Sequence, residues 1–180
     1  PIAMVRALVP PNVGSVGLLL LDMGEQSTDI AVTYGDMPRL VRTIPMGIQS
    51  LVKAAVQNLN VKDDQARQFI LKFGLAADRL DGQVLHAVEG VLDNFNAEIT
   101  KSLKFFQTRY PSTQVSSIQL AGFAAVVPLL DQYLSSKAGV QAQVANPWHD
   151  VRVAQADQER LSTVASEFST AVGLAKRRNN

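Results

Sequence analysis

With 180 residues, 47% of them hydrophobic, the chain is long enough to bury one good core, and one compact unit with at most a small appended lobe is expected. A formal charge of +1 and a charged fraction of 18% give no field of the kind nucleic-acid binding demands; the basic run Lys176-Arg177-Arg178 reads as the complement of a helix C-terminus or as solvated charge. The absence of cysteine excludes a disulfide framework and thiolate metal sites, and no apolar run approaches the roughly 20 residues needed to cross a bilayer, so any membrane association is expected to run through partners.

Residues 1–8 have helical apolar spacing without an N-cap and no initiator methionine, which points to a segment cut from a longer protein within or just after a helix. Pro10, Pro11 and Asn12 stop that helix. Residues 16–22 follow as a strand whose leucine run cannot face water on either side, so it is expected at the centre of a sheet covered on both faces. Thr28 to Tyr34 alternates as a second strand and turns through Gly35-Asp36 into a third, Arg39 to Ile44, which completes an antiparallel meander. From Ile48 the apolar period becomes helical through Leu59, with Asn60 as the stop, and a short helix runs from Asp63 to Lys72 before Gly74.

The longest periodic segment is residues 84–109. Leu85, Val88, Val91, Leu92, Phe95, Ile99, Leu103 and Phe106 make one stripe on a rod of roughly 39 Å that ends at Pro111 and could join two lobes. Phe105 falls one position off the stripe and is expected either in the core or against another lobe or subunit. Val115 to Leu120 reads as a strand, Ala121-Gly122 as its tight exit, and Ala124 to Ser136 as a helix with Pro128 near its first turn. Val140 to Val144 is a fifth strand and Asn146-Pro147-Trp148 a loop, in which Trp148 is read either as an exposed partner anchor or, the favoured expectation, as packed under the sheet edge. A final amphipathic helix, Gln158 to Lys176, presents Leu161, Val164, Phe168 and Val172 and takes Asp157 as N-cap. Strand-helix pairs at the end favour parallel strands with right-handed crossovers beside the meander.

The chemistry concentrates in the loop after the leucine strand, Asp22-Met23-Gly24-Glu25-Gln26-Ser27-Thr28. Asp22 at a strand end can hold a magnesium ion or its water, Gly24 can bring its N–H close to an anion, and Ser27 and Thr28 can donate to phosphate oxygens. The same residues are what any hairpin connection wants. Asp29 could pair with Asp22 but is expected to face solvent, and His86 and His149 have no neighbours at ligand spacing. No catalytic residue is assigned, and no nucleophile elbow of the G-x-S-x-G kind is present.

Leu20-Leu21-Asp22-Met23-Gly24-Glu25-Gln26-Ser27-Thr28 resembles the second phosphate loop of the actin-like ATPase superfamily. Ile118 to Gly122 resembles the strand and turn of its adenosine motif, and Phe168 to Ala175 its closing helix. Within that superfamily, Arg42-Thr43-Ile44-Pro45-Met46-Gly47, Glu98 to Phe106 and Val144 to Trp148 resemble the PilM family of type IV pilus assembly proteins, over residues 1–178. The resemblance implies an α/β, actin-like (ribonuclease H-like) mixed five-stranded sheet with flanking helices and a small helical insertion. Residues 1–46 and 84–180 would form the core subdomain, and 47–83 the inserted one. It implies ATP and magnesium as cofactors of the intact protein, with Asp22, Gly24, Ser27, Thr28, Gly47 and Gly122 on the nucleotide side and Asp22 toward the metal. It further implies a cytoplasmic scaffold, peripheral to the inner membrane. Its expected partners are inner-membrane pilus proteins, notably the PilN tail, and the assembly motor ATPases; apart from the resemblance, the apolar area exposed by severing a two-lobed protein could drive self-association into a homo-oligomer.

The sequence also departs from the superfamily pattern. Where the adenosine motif carries its second glycine, Phe123 stands, and Arg67 and Ile70 occupy the places of a Glu and a Lys on the adenosine side. The first phosphate loop would lie upstream of Pro1. Phosphoryl transfer needs donors on both sides of the phosphates, so this chain is expected neither to bind nucleotide tightly nor to act as an enzyme on its own. A kinase of the same superfamily would need a glycine-rich adenosine turn, and a cell-division protein of the FtsA type would end in an apolar amphipathic helix that Lys176 to Asn180 does not provide.

Overall fold

The computed structural model describes residues 2–10 and 13–177. Its centre is β1 (Gly17–Met23), in which Leu18 to Leu21 are at most 5% exposed. Alternation sends Leu19, Leu21 and Met23 into one hydrophobic core and Leu18 and Leu20 into a second, on the opposite face. β2 (Thr28–Tyr34) and β3 (Met37–Ile44) continue from β1 as an antiparallel meander, while β4 (Val115–Gly122) and β5 (Ala142–Val144) add on the other side in parallel. The strand order is β3-β2-β1-β4-β5, so β1 is central and β3 and β5 are edges.

The first core is closed by α4 (Gln83–Arg109), with α2 (Ile48–Leu59), α3 (Asp63–Phe73) and α5 (Leu130–Ala138) beside it. α4 has 27 residues, about 40 Å of helix. Its buried seam takes in Val84, Ala87 and Ser102, with Leu85 and Val91 only half-buried, a small rotation from the expected stripe. Asn60, in the left-handed conformation, ends α2 at the expected residue. The second core is closed by α1 (Ile2–Leu8) and α7 (Ser169–Ala175). Where they cross, a Cβ on Gly173 would lie 1.7 Å from the Ala3 carbonyl oxygen. Lys176, at the end of α7, donates to the Arg6 carbonyl at 3.3 Å and pairs with Asp150 at 3.0 Å. Of the residues expected to stop the opening helix, Pro11 and Asn12 lie outside the described residues, as does Arg178 of the basic run.

Two expected helices are interrupted, each for a local reason. The one expected from Ala124 to Ser136 begins as a 3₁₀ turn, Phe123–Ala125, and becomes α-helical only at Leu130. Between them the Pro128 carbonyl accepts the Leu75 N–H at 3.0 Å, and Leu129 is forced to φ +63, a region few residues other than glycine occupy. Gly74 makes that contact possible, because a Cβ there would lie 2.2 Å from the Pro128 oxygen. The helix expected from Gln158 to Lys176 is instead α6 (Gln158–Thr163), a 3₁₀ turn at Ala165–Glu167, and α7. The Leu161 carbonyl, which a continuous helix would bond to Ala165, accepts the Trp148 indole N–H at 2.9 Å instead. Trp148 thus packs on the second core, as expected of it, and rests on Phe168 with ring centroids 5.8 Å apart.

Glycine inside a helix normally costs about 1 kcal/mol relative to alanine. At the α1–α7 crossing the sign reverses: Gly173→Ala should lower stability by about 1–3 kcal/mol through overpacking against Ala3, measured as a fall in the urea midpoint. A raised midpoint would contradict this account of the crossing.

Candidate functional site

At the carboxyl edge of β1 and β4 the sheet opens into a cavity of about 460 Å³, lined among others by Asp22, Gly24, Gly122, Phe123, Ser169 and Thr170. The Asp22 carboxylate accepts the hydroxyls of Ser169 at 3.2 Å and Thr170 at 3.4 Å, from the first turn of α7. Asp29 lies directly across from it on β2 and accepts the Thr43 hydroxyl at 2.6 Å, so the two acids form a cross-strand pair. Burial raises the pKa of Asp22 above the ordinary aspartate value, the nearby Asp29 adds to the rise, and the two hydroxyl donors oppose it. Gly122 turns away at φ +60; a Cβ there would sit 2.3 Å from the Met23 oxygen and 2.6 Å from an Asp22 carboxylate oxygen. Only glycine allows the two strands to end this close together.

Of the residues read as site candidates, Asp22, Gly24 and Gly122 thus share one cavity. Ser27 contributes its backbone carbonyl to the loop, and Thr28 and Gly47 hold that loop in place. The Gly24 N–H donates to the Ser27 carbonyl at 2.8 Å, closing the loop on itself. Thr28 is fully buried and its hydroxyl donates to the Met46 carbonyl at 2.6 Å. Gly47 lets the loop lie against the start of α2, since a Cβ would meet the Glu25 oxygen at 2.5 Å. The first amides of α2, Ile48 and Gln49, then donate to the carbonyls of Gly24 and Glu25 at 3.1 and 3.0 Å. A helix N-terminus is a ready anion site only while its N–H groups are open, and here the loop carbonyls cap them. Asp22 therefore offers a carboxylate suited to the shell of a magnesium ion, whereas the phosphate donors expected at Gly24 and Thr28 are engaged inside the protein.

At the places that the resemblance assigns to the adenosine side, the Arg67 guanidinium grips the Glu25 carboxylate with two hydrogen bonds of 2.8 Å and lies over the Phe123 ring, 5.2 Å from its centroid. This contact ties the β1–β2 loop, α3 and the exit of β4 together. The Arg67 hydrogen bonds hold the Glu25 carboxyl below its ordinary range. Ile70 turns away from this contact into the first core. Sequence reasoning did not single out Glu25, Ser169 or Thr170. The Ser-Thr pair opening the closing segment carries a usable signal, while nothing local ties Glu25 to a partner 42 residues away. Among the described residues no group of three His, Cys, Asp or Glu side chains is placed to hold a metal ion, and no helix is long and apolar enough to cross a membrane.

The meander, the parallel crossover strands and the acidic edge define the actin-like ATPase fold. Similar solved structures include an archaeal actin homologue, Ta0583 (14% identity, TM-score 0.62, covering 98% of this chain and 54% of that one), and MreB5 of Spiroplasma citri bound to ADP (12% identity, TM-score 0.66, 97% and 57%). The PilM–PilN type IV pilus biogenesis complex is similar at 25% identity and TM-score 0.75, covering 97% of this chain and 48% of that one. A family profile described as type IV pilus assembly protein PilM matches residues 2–179, and the chain belongs to that family. It spans about half the length of the solved structures it matches.

The raised pKa of Asp22 has a definite sign for stability. The unfolded aspartate ionises near its ordinary value of about 4, before the folded one, so the folded state loses stability as pH rises from there through the raised folded value. Asp22→Asn should therefore raise the urea midpoint at about pH 8, and the gain should vanish as pH falls below about 4. An asparagine variant less stable at every pH would show that the carboxylate is held by its hydroxyl partners more strongly than burial opposes it.

Proposed function

We propose that this chain is one lobe of an actin-like scaffold for type IV pilus assembly. In this reading the intact protein sits in the cytoplasm, docks on inner-membrane pilus proteins through the short tail of a PilN-type partner, and links them to the assembly motors. Nucleotide is a conformational ligand of the intact protein and not a substrate turned over by this lobe. The observation that carries the reading is the family match along residues 2–179, joined to the likeness with the PilM–PilN complex. The state of the cleft supports it: the first amides of α2 are capped by loop carbonyls, and Arg67 lies on Phe123 where the superfamily pattern has glycine. Residues 47–83, with α2 and α3, form the smaller inserted subdomain in the same reading.

Calorimetry with a synthetic PilN cytoplasmic tail tests the scaffold role. The intact protein should bind it with a Kd tighter than about 100 μM, roughly −5.5 kcal/mol, and no detectable heat would remove the partner from the assignment. The present chain alone should bind ATP no more tightly than about 10 μM, roughly −6.8 kcal/mol. Phe123→Gly in the intact protein takes away the ring under Arg67 and should strengthen ATP binding by about threefold or more, about 0.7 kcal/mol; an unchanged affinity would clear the ring of blame.

A further inference from the structure

The sheet has an open border that the nucleotide edge does not use. β3 pairs only with β2, and its outer N–H and C=O groups have no strand beside them among the described residues. On the face covered by α4, the Arg42 guanidinium reaches Glu98 at 2.5 Å and Ser102 at 3.5 Å, while a register shift after Val32 swings Arg39 over the Tyr110 ring, 5.9 Å from its centroid. Glu98, Ser102, Phe105 and Arg109 follow at intervals of four, three and four residues, so they form one stripe of α4, the stripe that borders β3. Phe105 on that stripe is 58% exposed, and Met37 at the start of β3 is 53% exposed.

Charge on this flank is one-sided. Lys101 and Arg109 stand one turn to either side of Phe105, and Arg39 and Arg42 lie on the neighbouring β3. The acid among them, Glu98, is shared between Arg42 and Lys101, and Asp36 lies in the turn before β3. Cations, a bulge and Pro38 on an edge strand also guard against edge-to-edge pairing. That purpose is served without a phenylalanine ring left in water one turn beyond the ion pair. We propose that the β3 edge and the Phe105 stripe of α4 form a docking surface for an acidic, extended segment of a protein partner. The segment adds a strand beside β3, places its carboxylates against Arg39, Lys101 and Arg109, and covers Phe105 with an apolar side chain.

Fluorescence anisotropy on the intact protein tests this with a labelled peptide as long as β3 in which every second residue, the set that faces α4, reads glutamate, valine, glutamate with threonines between, and with a lysine-for-glutamate version as control. Saturable binding of the acidic peptide is expected, none of the basic one, and a several-fold loss between about 50 and 300 mM salt. Phe105→Ser, an exposed change that leaves the core intact, should weaken binding roughly tenfold, as should the pair Arg39→Glu and Arg109→Glu. Circular dichroism melts check that each variant is folded. Failure of the acidic peptide to bind, equal binding by the basic one, or full retention in both variants would overturn the proposal. So would a result in which these variants lose only their binding to vesicles of anionic phosphatidylglycerol, since that would make the surface a membrane contact.

Discussion

Burial of the leucine strand on both faces is the constraint from which this architecture follows. Four consecutive leucines at positions 18–21 leave no side of β1 for water, so each face must be covered, and the sheet must place β1 inside. The two covers differ in kind. α4, with α2, α3 and α5, builds a broad core on one face, while the short pair α1 and α7 covers the other through a crossing close enough to require Gly173. Because β1 is central, its carboxyl end is also where the antiparallel and parallel halves of the sheet meet. Asp22 stands there with Gly122 pressed against it, and the first turn of α7 supplies its two hydroxyl donors.

Most of the fold was legible because it is written in local periods. The alternation of β2, the leucine run, the seam of α4 and the stop at Asn60 each depend on neighbours within a turn or a strand. What was not legible depends on partners far along the chain. The apolar pattern from Gln158 to Lys176 is helical throughout, yet one carbonyl is taken by an indole from the preceding loop and the helix redirects toward Asp22. The break at Leu129 likewise answers to a contact with Gly74, more than fifty residues earlier. At the cavity, the strand-end places of Asp22 and Gly122 followed from residue type and position. The fate of the Gly24 and Thr28 donors did not, since hydroxyls and amides are equally suited to a ligand and to a neighbouring carbonyl.

The cleft and the β3 border divide the surface by chemistry. At the cleft, polar groups turn inward and satisfy one another: loop carbonyls on helix amides, hydroxyls on a carboxylate, a guanidinium between a carboxylate and a ring. Along β3 and the flank of α4 the backbone edge has no neighbouring strand among the described residues, cations outnumber acids, and an aromatic ring faces water. The docking surface proposed there would be taken up and released without disturbing the core behind it.

The contact of Gly74 with the carbonyl oxygen and ring of Pro128, beside the bond from the Leu75 N–H, joins the end of the α2–α3 segment to the entrance of α5. Among descendants of such a chain, any bulkier residue at 74 must arrive together with a rearranged path through 128 and 129, so the two places, far apart in the gene, evolve as a single character.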